Sequence, residues 1–214
     1  MNSNSKKPIF FDYIAQLEAD NDIPAWSGYM PEKQLQDKTF FFDLPAVLRA
    51  LLLADGTVTI ALEAIYKEQI QVQLVEQHSL LAEQAIPLLG IDSGQEVFYR
   101  EVQLRGKDSG KCYVQAYSLL KQIALSPDLW KKLSDDKVGM GVVLRNAAQG
   151  NFRKVLHIGA GDLGDANENP SDEKQQIETA TVLEKMHRTY SVNIKSKPAI
   201  LITEVFSLSA LARD

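Results

Sequence analysis

Apolar residues recur every three or four positions in one segment near residue 50. They are Leu44, Val47, Leu48, Leu51 and Leu52. This spacing predicts a helix from Pro45 to Ala54 that turns one face towards the core. Proline is well tolerated in a first helical turn, and Asp43 precedes it as a plausible cap. A second short helix is predicted from Phe10 to Asp20.

The hydrophobic period changes to two after Gly56. Apolar and polar residues alternate from Thr57 to Tyr66 and again from Ile70 to Leu74, with Lys67–Gln69 between the two segments. Alternation of this kind is typical of strands that have one solvent-facing side. The two segments therefore predict a β-hairpin in an antiparallel sheet.

Further hairpins follow along the chain. Two long strands, Glu96–Arg105 and Cys112–Leu120, are predicted on either side of a turn-rich segment, Gly106–Gly110. The chain closes with two more strands, Arg188–Ile194 and Ala199–Phe206, which are separated by a short turn. Since each pair is joined by a short connection, both pairs favour antiparallel pairing.

The segments between these hairpins are more varied. Ser126-Pro127-Asp128 has the chemistry of a helix start. Val138–Arg145 and Phe152–Ile158 are predicted to be extended, Gly159–Asn169 to be a loop, and Ser171–His187 to be a polar helix.

The order of these elements indicates the fold class. Strands occur in hairpins rather than in alternating strand–helix units, which predicts an α+β fold with an antiparallel sheet and not a doubly wound parallel one. A length of 214 residues suits one substantial domain. We expect a single domain over residues 1–214, in which residues 1–44 form an N-terminal extension.

Composition and charge narrow the range of partners. The net charge of −5 gives no support for a nucleic-acid or anionic-membrane partner, because both attract basic surfaces, but it leaves a small anionic ligand open. No segment approaches the ~20 apolar residues of a membrane span, and Asp12 interrupts the N-terminal apolar run too early for a signal peptide. The single cysteine, Cys112, cannot form an intramolecular disulfide. These features predict a cytoplasmic protein that does not contact membranes.

Two charged residues stand on faces that should be buried. In the strand from Glu96, Arg100 alternates in step with Phe98, Val102 and Leu104; in the last strand, Glu204 does so with Ile200, Ile202 and Phe206. A buried charge costs several kcal/mol unless it is paired or bound to a ligand. One explanation is structural: an Arg–Glu pair within the sheet, or a charge at a strand end that reaches water. The other is an anionic ligand held by Arg100, whose planar group suits a carboxylate, with Glu204 as a proton donor, proton acceptor or polar orienting group nearby.

Two patterns that could indicate a cofactor are rejected. Residues 159–164 fit G-x-G-x-x-G, but an acidic, loop-forming segment follows them where a phosphate site needs the start of a helix. The histidines His78, His157 and His187 have no metal-ligand spacing, and His187 is expected to end the polar helix. Neither a cofactor nor a metal is therefore expected.

Four segments together resemble one enzyme family. Leu51–Thr59 is similar to the helix-to-strand opening of the chorismate pyruvate-lyases, and Tyr99–Leu104 resembles their Arg-Glu-Val-x-Leu strand. Lys137–Gly139, followed by Phe152 at a similar interval, resembles a third segment. Arg188–Phe206 is the closest match, to an Arg-x-Tyr/Arg segment followed by Lys/Gln-Pro and Thr-Glu-x-Phe. The resemblance spans residues 45 to 206.

The resemblance carries expectations for fold, reaction and site. It implies a six-stranded antiparallel sheet with helices on one side and a buried pocket covered by flaps. Members convert chorismate to 4-hydroxybenzoate and pyruvate without metal or coenzyme, and the product feeds quinone biosynthesis. Arg100 would hold the ring carboxylate, helped by backbone amides around Val58 and Val142, with Leu144 as the alternative register to Val142. Glu204 would contact the oxygen at ring position four and assist proton movement.

The chain also departs from the family pattern. The Gly106–Tyr113 turn resembles a divergent branch of the family. Lys121 stands where many relatives have proline, Tyr117 where the best-known branch has a second arginine, and Ser207–Ser209 where a proline usually follows. Residues 145–151 have no counterpart in the pattern. These departures bear more on substrate identity than on fold.

Two other functions remain open at this stage. The same fold serves as the effector-sensing half of some bacterial transcription regulators, so a non-catalytic module that binds aromatic carboxylates is one alternative. The 44 residues before Pro45 are too short and too acidic for the DNA-binding domain of such a regulator. The other alternative is an enzyme for a different carboxylated ring compound, which Tyr117 favours. The partner is in each case a small molecule, and the oligomeric state stays open.

Overall fold

The computed structural model describes residues 10–12, 14–15, 44–54, 57–135, 139–146, 151–160 and 184–212. Within them six strands form one sheet, in which each neighbouring pair is antiparallel. The strands are β1 (Ile70–Leu81), β2 (Glu96–Gly106), β3 (Cys112–Leu120), β4 (Asn151–Ala160), β5 (Lys185–Ile194) and β6 (Lys197–Ser207), in the order β1-β2-β3-β6-β5-β4. The expected α+β class and six-stranded antiparallel sheet are confirmed.

Five numbered helices accompany the sheet. They are α1 (Ala46–Leu53), α2 (Val58–Tyr66), α3 (Pro127–Leu133), α4 (Met140–Arg145) and α5 (Leu208–Leu211), with 3₁₀ turns at Pro87–Leu89 and Gln122–Ala124. Helix α1 matches its prediction, and its buried residues Leu48, Leu51 and Leu52 are the ones at helical spacing. Helix α3 begins as expected, since Oγ of Ser126 accepts a hydrogen bond from the Leu129 amide.

The strand predicted from Thr57 to Tyr66 is wrong, because this segment forms helix α2. Val58 and Leu62, one helical turn apart, are its buried residues. The same residues satisfy period two and period four, so the alternation could not distinguish a strand from a helix. The helix ends at Lys67, which takes a left-handed conformation with φ of 57°. Packing of one face on the core overrides the strand preference of the β-branched residues.

A second correction concerns Val138–Arg145, which was predicted to be extended. Residue 138 lies outside the described residues, and Met140–Arg145 forms helix α4. Its buried side chains are Met140, Val143 and Leu144, at spacings of three and four that mark one helix face. The short apolar run is compatible with either structure, and burial against the core decides for the helix.

The predicted polar helix Ser171–His187 ends differently from the expectation. Residues 171–183 lie outside the described part of the chain, whereas Lys185–His187 are the first residues of β5. His187 is therefore a strand residue and not a helix end. Of the predicted loop Gly159–Asn169, the first two residues belong to β4 and the others lie outside the described residues.

The sheet is buried on both faces. Helices α1 to α4 pack on one face over apolar residues of the strands, which include Leu120, Ile200 and Phe206. The opposite face is covered by the helical residues Phe10, Phe11 and Ile14 and by the connection after β1. Two-sided burial explains why β5 and β6 are buried along almost their whole length and why charges within them need partners.

Candidate functional site

A cavity of about 60 Å³ lies between the helical face of the sheet and the beginnings of α2 and α4. Its floor consists of side chains from β2, β3, β5 and β6, and its walls include Thr57–Thr59 and Gly139–Gly141. The two predicted site residues Arg100 and Glu204 both line it.

Strand register brings these two residues to the same face. Arg100 of β2 lies opposite Ser118 of β3, and Glu204 of β6 lies opposite Ala116 of β3. Directly opposed residues of antiparallel strands share a face, and Ser118 and Ala116 are two positions apart. The side chains of Arg100 and Glu204 therefore enter one space from strands on either side of β3.

Arg100 is almost completely buried, with an exposed fraction of 1%. Its Nη1 atom donates a hydrogen bond of 2.5 Å to the carbonyl of Leu133. Leu133 is the last residue of α3, where the helix dipole favours a cation. A guanidinium group carries five N–H donors in one plane, and the side chain of Arg100 lines the cavity.

Glu204 is held by two side chains of β5. Nε of Arg188 donates to Oε2 of Glu204 at 2.7 Å, and the hydroxyl of Tyr190 donates to Oε1 at 3.1 Å. Burial and the Glu204 carboxylate raise the pKa of Tyr190 far above its ordinary value, so the hydroxyl keeps its proton and acts as a hydrogen-bond donor. Both oxygens of Glu204 are thus fixed in direction.

Arg188 connects this carboxylate to the neighbouring helix. Its Nη1 atom donates to the carbonyls of Leu52 and Ala54, at 3.3 and 2.5 Å. These carbonyls lie at the end of α1, so Arg188 satisfies acceptors that the helix cannot satisfy itself. The arginine joins α1, β5 and β6 at the border of the cavity.

The structural Arg–Glu pair considered from the sequence exists, but Arg188 takes the place of Arg100. Sequence reasoning missed Arg188 because it began the predicted strand, where a charge can reach water. A signal was present: alternation puts Arg188 on one face with Tyr190 and Val192, both of which are buried. The direct pairing of Arg188 with Glu204 across β5 and β6 makes the contact.

The two predicted backbone contributors lie in different positions. Val58 lines the cavity in the first turn of α2, where amide groups lack partners within the helix. Val142 does not contribute to the described lining; its side chain is 36% exposed and its amide donates to Gly139 at 3.1 Å. Leu144, the alternative register, does line the cavity.

Arg153 is a second residue that sequence reasoning missed. It lines the cavity from β4, and Nε atoms of both Arg153 and Arg100 are shielded from solvent. Alternation with the buried Val155 is the signal that could have identified it. Tyr117, in contrast, lies on the opposite face of the sheet, stacked on Phe10 with ring centroids 5.6 Å apart. Its departure from the family pattern therefore does not alter the described cavity lining.

No group of three histidine, cysteine, aspartate or glutamate side chains that could hold a metal ion occurs among the described residues. No helix in the described ranges is long and apolar enough to cross a membrane.

Two solved structures with a similar fold are those of PhnF and of its isolated effector domain. PhnF from Mycobacterium smegmatis aligns with a TM-score of 0.51 and 16% identity over 74% of this chain and 66% of that one. The isolated effector domain of PhnF aligns with a TM-score of 0.50 and 15% identity over 73% of this chain and 91% of that domain. At such identities the likeness shows the fold alone.

Comparison of the sequence with known proteins gives a family. No curated protein matches the chain. The model of one family, described as chorismate pyruvate-lyase Rv2949c-like, matches residues 52–213, which include every strand and both of the charged residues singled out from the sequence. The chain belongs to the Rv2949c-like chorismate pyruvate-lyase family.

Proposed function

We propose that this chain is a chorismate pyruvate-lyase that converts chorismate to 4-hydroxybenzoate and pyruvate in the cavity between the sheet and helices α2 and α4. The observation that carries the proposal is the meeting of Arg100 and Glu204 in one cavity, in a chain of this family. The product would enter quinone biosynthesis in the cytoplasm.

Arg100 is the proposed anchor for the ring carboxylate. A guanidinium group binds a carboxylate through two parallel hydrogen bonds, and burial of Arg100 strengthens that attraction relative to water. Its bond to Leu133 holds the group in one orientation before the substrate arrives. Amide groups of the first turn of α2, at Val58, lie on the same cavity and offer further donors to an anion.

Glu204 is proposed to act on the hydroxyl side of the ring. In the reaction the ether bond to the enolpyruvyl group breaks, the adjacent ring carbon that bears the hydroxyl loses a proton, and the released enolpyruvate takes up a proton to become pyruvate. Arg188 and Tyr190 orient Glu204 so that it can bind the oxygen at ring position four and assist the proton movements. Aromatisation supplies the driving force, so the protein mainly has to hold a reactive conformer in a preorganised site.

A ligand-binding module without catalysis is the second candidate. The similarity in fold to the effector domain of PhnF favours it, and Arg100 would serve it equally well. An enzyme for another carboxylated ring compound would use the same anchor. All three candidates would bind an aromatic acid. The lyase and the enzyme for another ring compound would also release products, whereas the module would not.

The first experiment is to mix purified protein with chorismate and to follow 4-hydroxybenzoate by absorbance and pyruvate in a coupled assay. We expect both products in equal amounts. Arg100→Ala should weaken binding of chorismate and of 4-hydroxybenzoate by about 2–4 kcal/mol. Arg105→Ala is the matched control, because this arginine lies on the same strand with its side chain bonded to Gln103 and Gly110 outside the cavity.

Each result separates the candidates. Absence of products, with thermal stabilisation by 4-hydroxybenzoate that Arg100→Ala abolishes, would replace the lyase with the binding module or with another ring substrate. Absence of both products and stabilisation would remove the proposed function altogether. Equal products from wild type and Arg100→Ala would remove Arg100 from the site.

A further inference from the structure

A second cavity lies among the helices, apart from the cavity on the sheet. It has a volume of about 440 Å³ and is bordered by residues within or beside α1, α2 and α5. Leu48 lines it from α1, Ile65 and Tyr66 from α2, and Leu208 and Leu211 from α5. Small-molecule sites measure roughly 300–1,000 Å³, so this space has the size of such a site.

The described lining of this second cavity is apolar and carries no charge. It consists of aliphatic residues and Tyr66. The Tyr66 hydroxyl donates a hydrogen bond of 2.7 Å to the carbonyl of Leu211, so this polar group has an acceptor within the protein. Water inside such a space finds few hydrogen-bond partners, and apolar cavities in proteins take up apolar molecules instead.

Charge distinguishes this cavity from the proposed catalytic one. Chorismate and 4-hydroxybenzoate are carboxylates, and burying a carboxylate without a counter-charge or hydrogen-bond donors is costly. The catalytic cavity is lined by charged side chains, which include Arg100 and Glu204, whereas the described lining of the second cavity has none. A ligand of the second cavity therefore has an uncharged, hydrophobic body.

The direction of the apolar surface favours a small molecule over a protein partner. Leu48 is only 2% exposed, and Val47, at 39%, is the large apolar residue of the described lining that is well exposed to solvent. A stable protein interface buries about 800 Å² on each partner, which requires an apolar surface that faces outwards. Here the apolar side chains face into a concave space between three helices.

We propose that the cavity between α1, α2 and α5 is a binding site for a small, uncharged hydrophobic molecule, separate from the catalytic cavity. Dispersion contacts with the aliphatic lining and the removal of apolar surface from water stabilise the complex. The inference does not depend on the reaction, since it holds for a lyase and for a ligand-binding module alike.

The test uses N-phenyl-1-naphthylamine, an uncharged fluorophore whose emission rises in apolar surroundings, with the purified protein. We expect saturable binding of one molecule per chain, without displacement by 4-hydroxybenzoate. Val47→Asp places a carboxylate on the lining and should weaken binding about tenfold or more. Ile60→Asp is the matched control and should leave binding unchanged, because Ile60 is 40% exposed in the first turn of α2 and does not belong to the described lining.

A second variant fills the cavity instead of charging it. Ala212 lines the cavity from an exposed position directly after α5, so Ala212→Trp should abolish binding of the fluorophore without lowering the melting temperature. If this variant does not fold, the comparison of Val47→Asp with Ile60→Asp still decides.

Four results would overturn the inference. The wild type might not bind the fluorophore, or Val47→Asp might bind it as tightly as wild type. Displacement by 4-hydroxybenzoate would place the fluorophore in the catalytic cavity. A wild-type dimer in size-exclusion chromatography that Val47→Asp and Ala212→Trp dissociate would make a second copy of the chain the occupant of the cavity.

Discussion

Arg188 and Glu204 face each other on adjacent strands of the sheet, and their side chains form an ion pair with 2.7 Å between Nε and Oε2. Both residues are buried, with exposed fractions of 1% and 7%. The pair sits beside the cavity and also binds the end of α1 through the carbonyls of Leu52 and Ala54. The pair therefore connects the orientation of Glu204, the proposed catalytic carboxylate, with the packing of α1.

Breaking this pair from one side should destabilise the protein strongly. Arg188→Met leaves the Glu204 carboxylate buried without its cation, and we expect the free energy of unfolding to fall by about 3–5 kcal/mol. Urea unfolding followed by circular dichroism measures the change. The double variant Arg188→Met/Glu204→Leu removes both charges and should recover a large part of the loss. A change below about 1 kcal/mol in the single variant would contradict the assigned pair.

Gly141 should control the shape of the cavity entrance. A Cβ atom added there would lie 2.6 Å from Cγ2 of Thr57, so Gly141→Ala has to displace Thr57 and the start of α2. We expect weaker binding of chorismate and 4-hydroxybenzoate, measured by calorimetry, with a smaller effect on melting temperature. Thr57→Ser removes the clashing methyl group, so the double variant Gly141→Ala/Thr57→Ser should regain affinity. Unchanged affinity in Gly141→Ala would show that Thr57 does not shape the site.

Glu68 should stabilise the turn between β2 and β3. Its carboxylate accepts hydrogen bonds from the Tyr113 hydroxyl, from the amide and hydroxyl of Ser109, and from the Asp108 amide. These bonds, that of Tyr113 first, lower its pKa from 4.5 to about 2. Because the folded-state pKa is depressed, the stabilisation is present above pH 4.5 and is lost as the pH falls towards 2.

Glu68→Gln places an amide NH₂ against these donors, so we expect a lower melting temperature at pH 7. The difference from wild type should shrink below pH 4. Glu83→Gln, at an exposed position in another loop, is the control and should leave the melting temperature unchanged. A Glu68→Gln protein as stable as wild type at pH 7 would show that the turn does not depend on this carboxylate.

His157 lies on the face of the sheet opposite the cavity, and it should make the stability of the protein depend on pH. Its ring stacks on that of His187, with centroids 5.4 Å apart. Burial, followed by the proximity of His187, lowers the pKa of His157 from 6.5 to about 4. In this window the unfolded chain binds a proton that the folded protein does not, so stability falls as the pH decreases from 6.5 to 4, by at most about 3 kcal/mol.

The measurement is the free energy of unfolding between pH 4 and pH 7 for wild type and His157→Gln. Carboxyl groups contribute equally to the pH dependence of both proteins, so the difference between the two curves isolates the contribution of His157. We expect the variant to have the shallower pH dependence. Parallel curves would exclude a depressed pKa at His157.

Several parts of the molecule could be predicted from local pattern alone. Strands β2, β3 and β6 have clear alternation and turn residues at their ends, so their positions and the directions of their side chains follow from the sequence. That alternation also identifies Arg100 and Glu204 as charges on buried faces. Helix α1 follows from its leucines at helical spacing. In each of these segments, one period alone explains the apolar positions.

Tertiary structure decided what the local pattern left ambiguous. The segment from Thr57 to Tyr66 fits a strand and a helix equally, and its helical form depends on packing of Val58 and Leu62 against the core. The partner of Glu204 depends on strand order: β6 lies between β3 and β5, which puts Arg188 opposite Glu204. Arg153 enters the same cavity only because β4 adds to the edge of β5. A sequence determines which face of a strand is apolar, because alternation is local. Pairing between strands depends on burial summed over the whole sheet, so only the tertiary structure determines which charges meet.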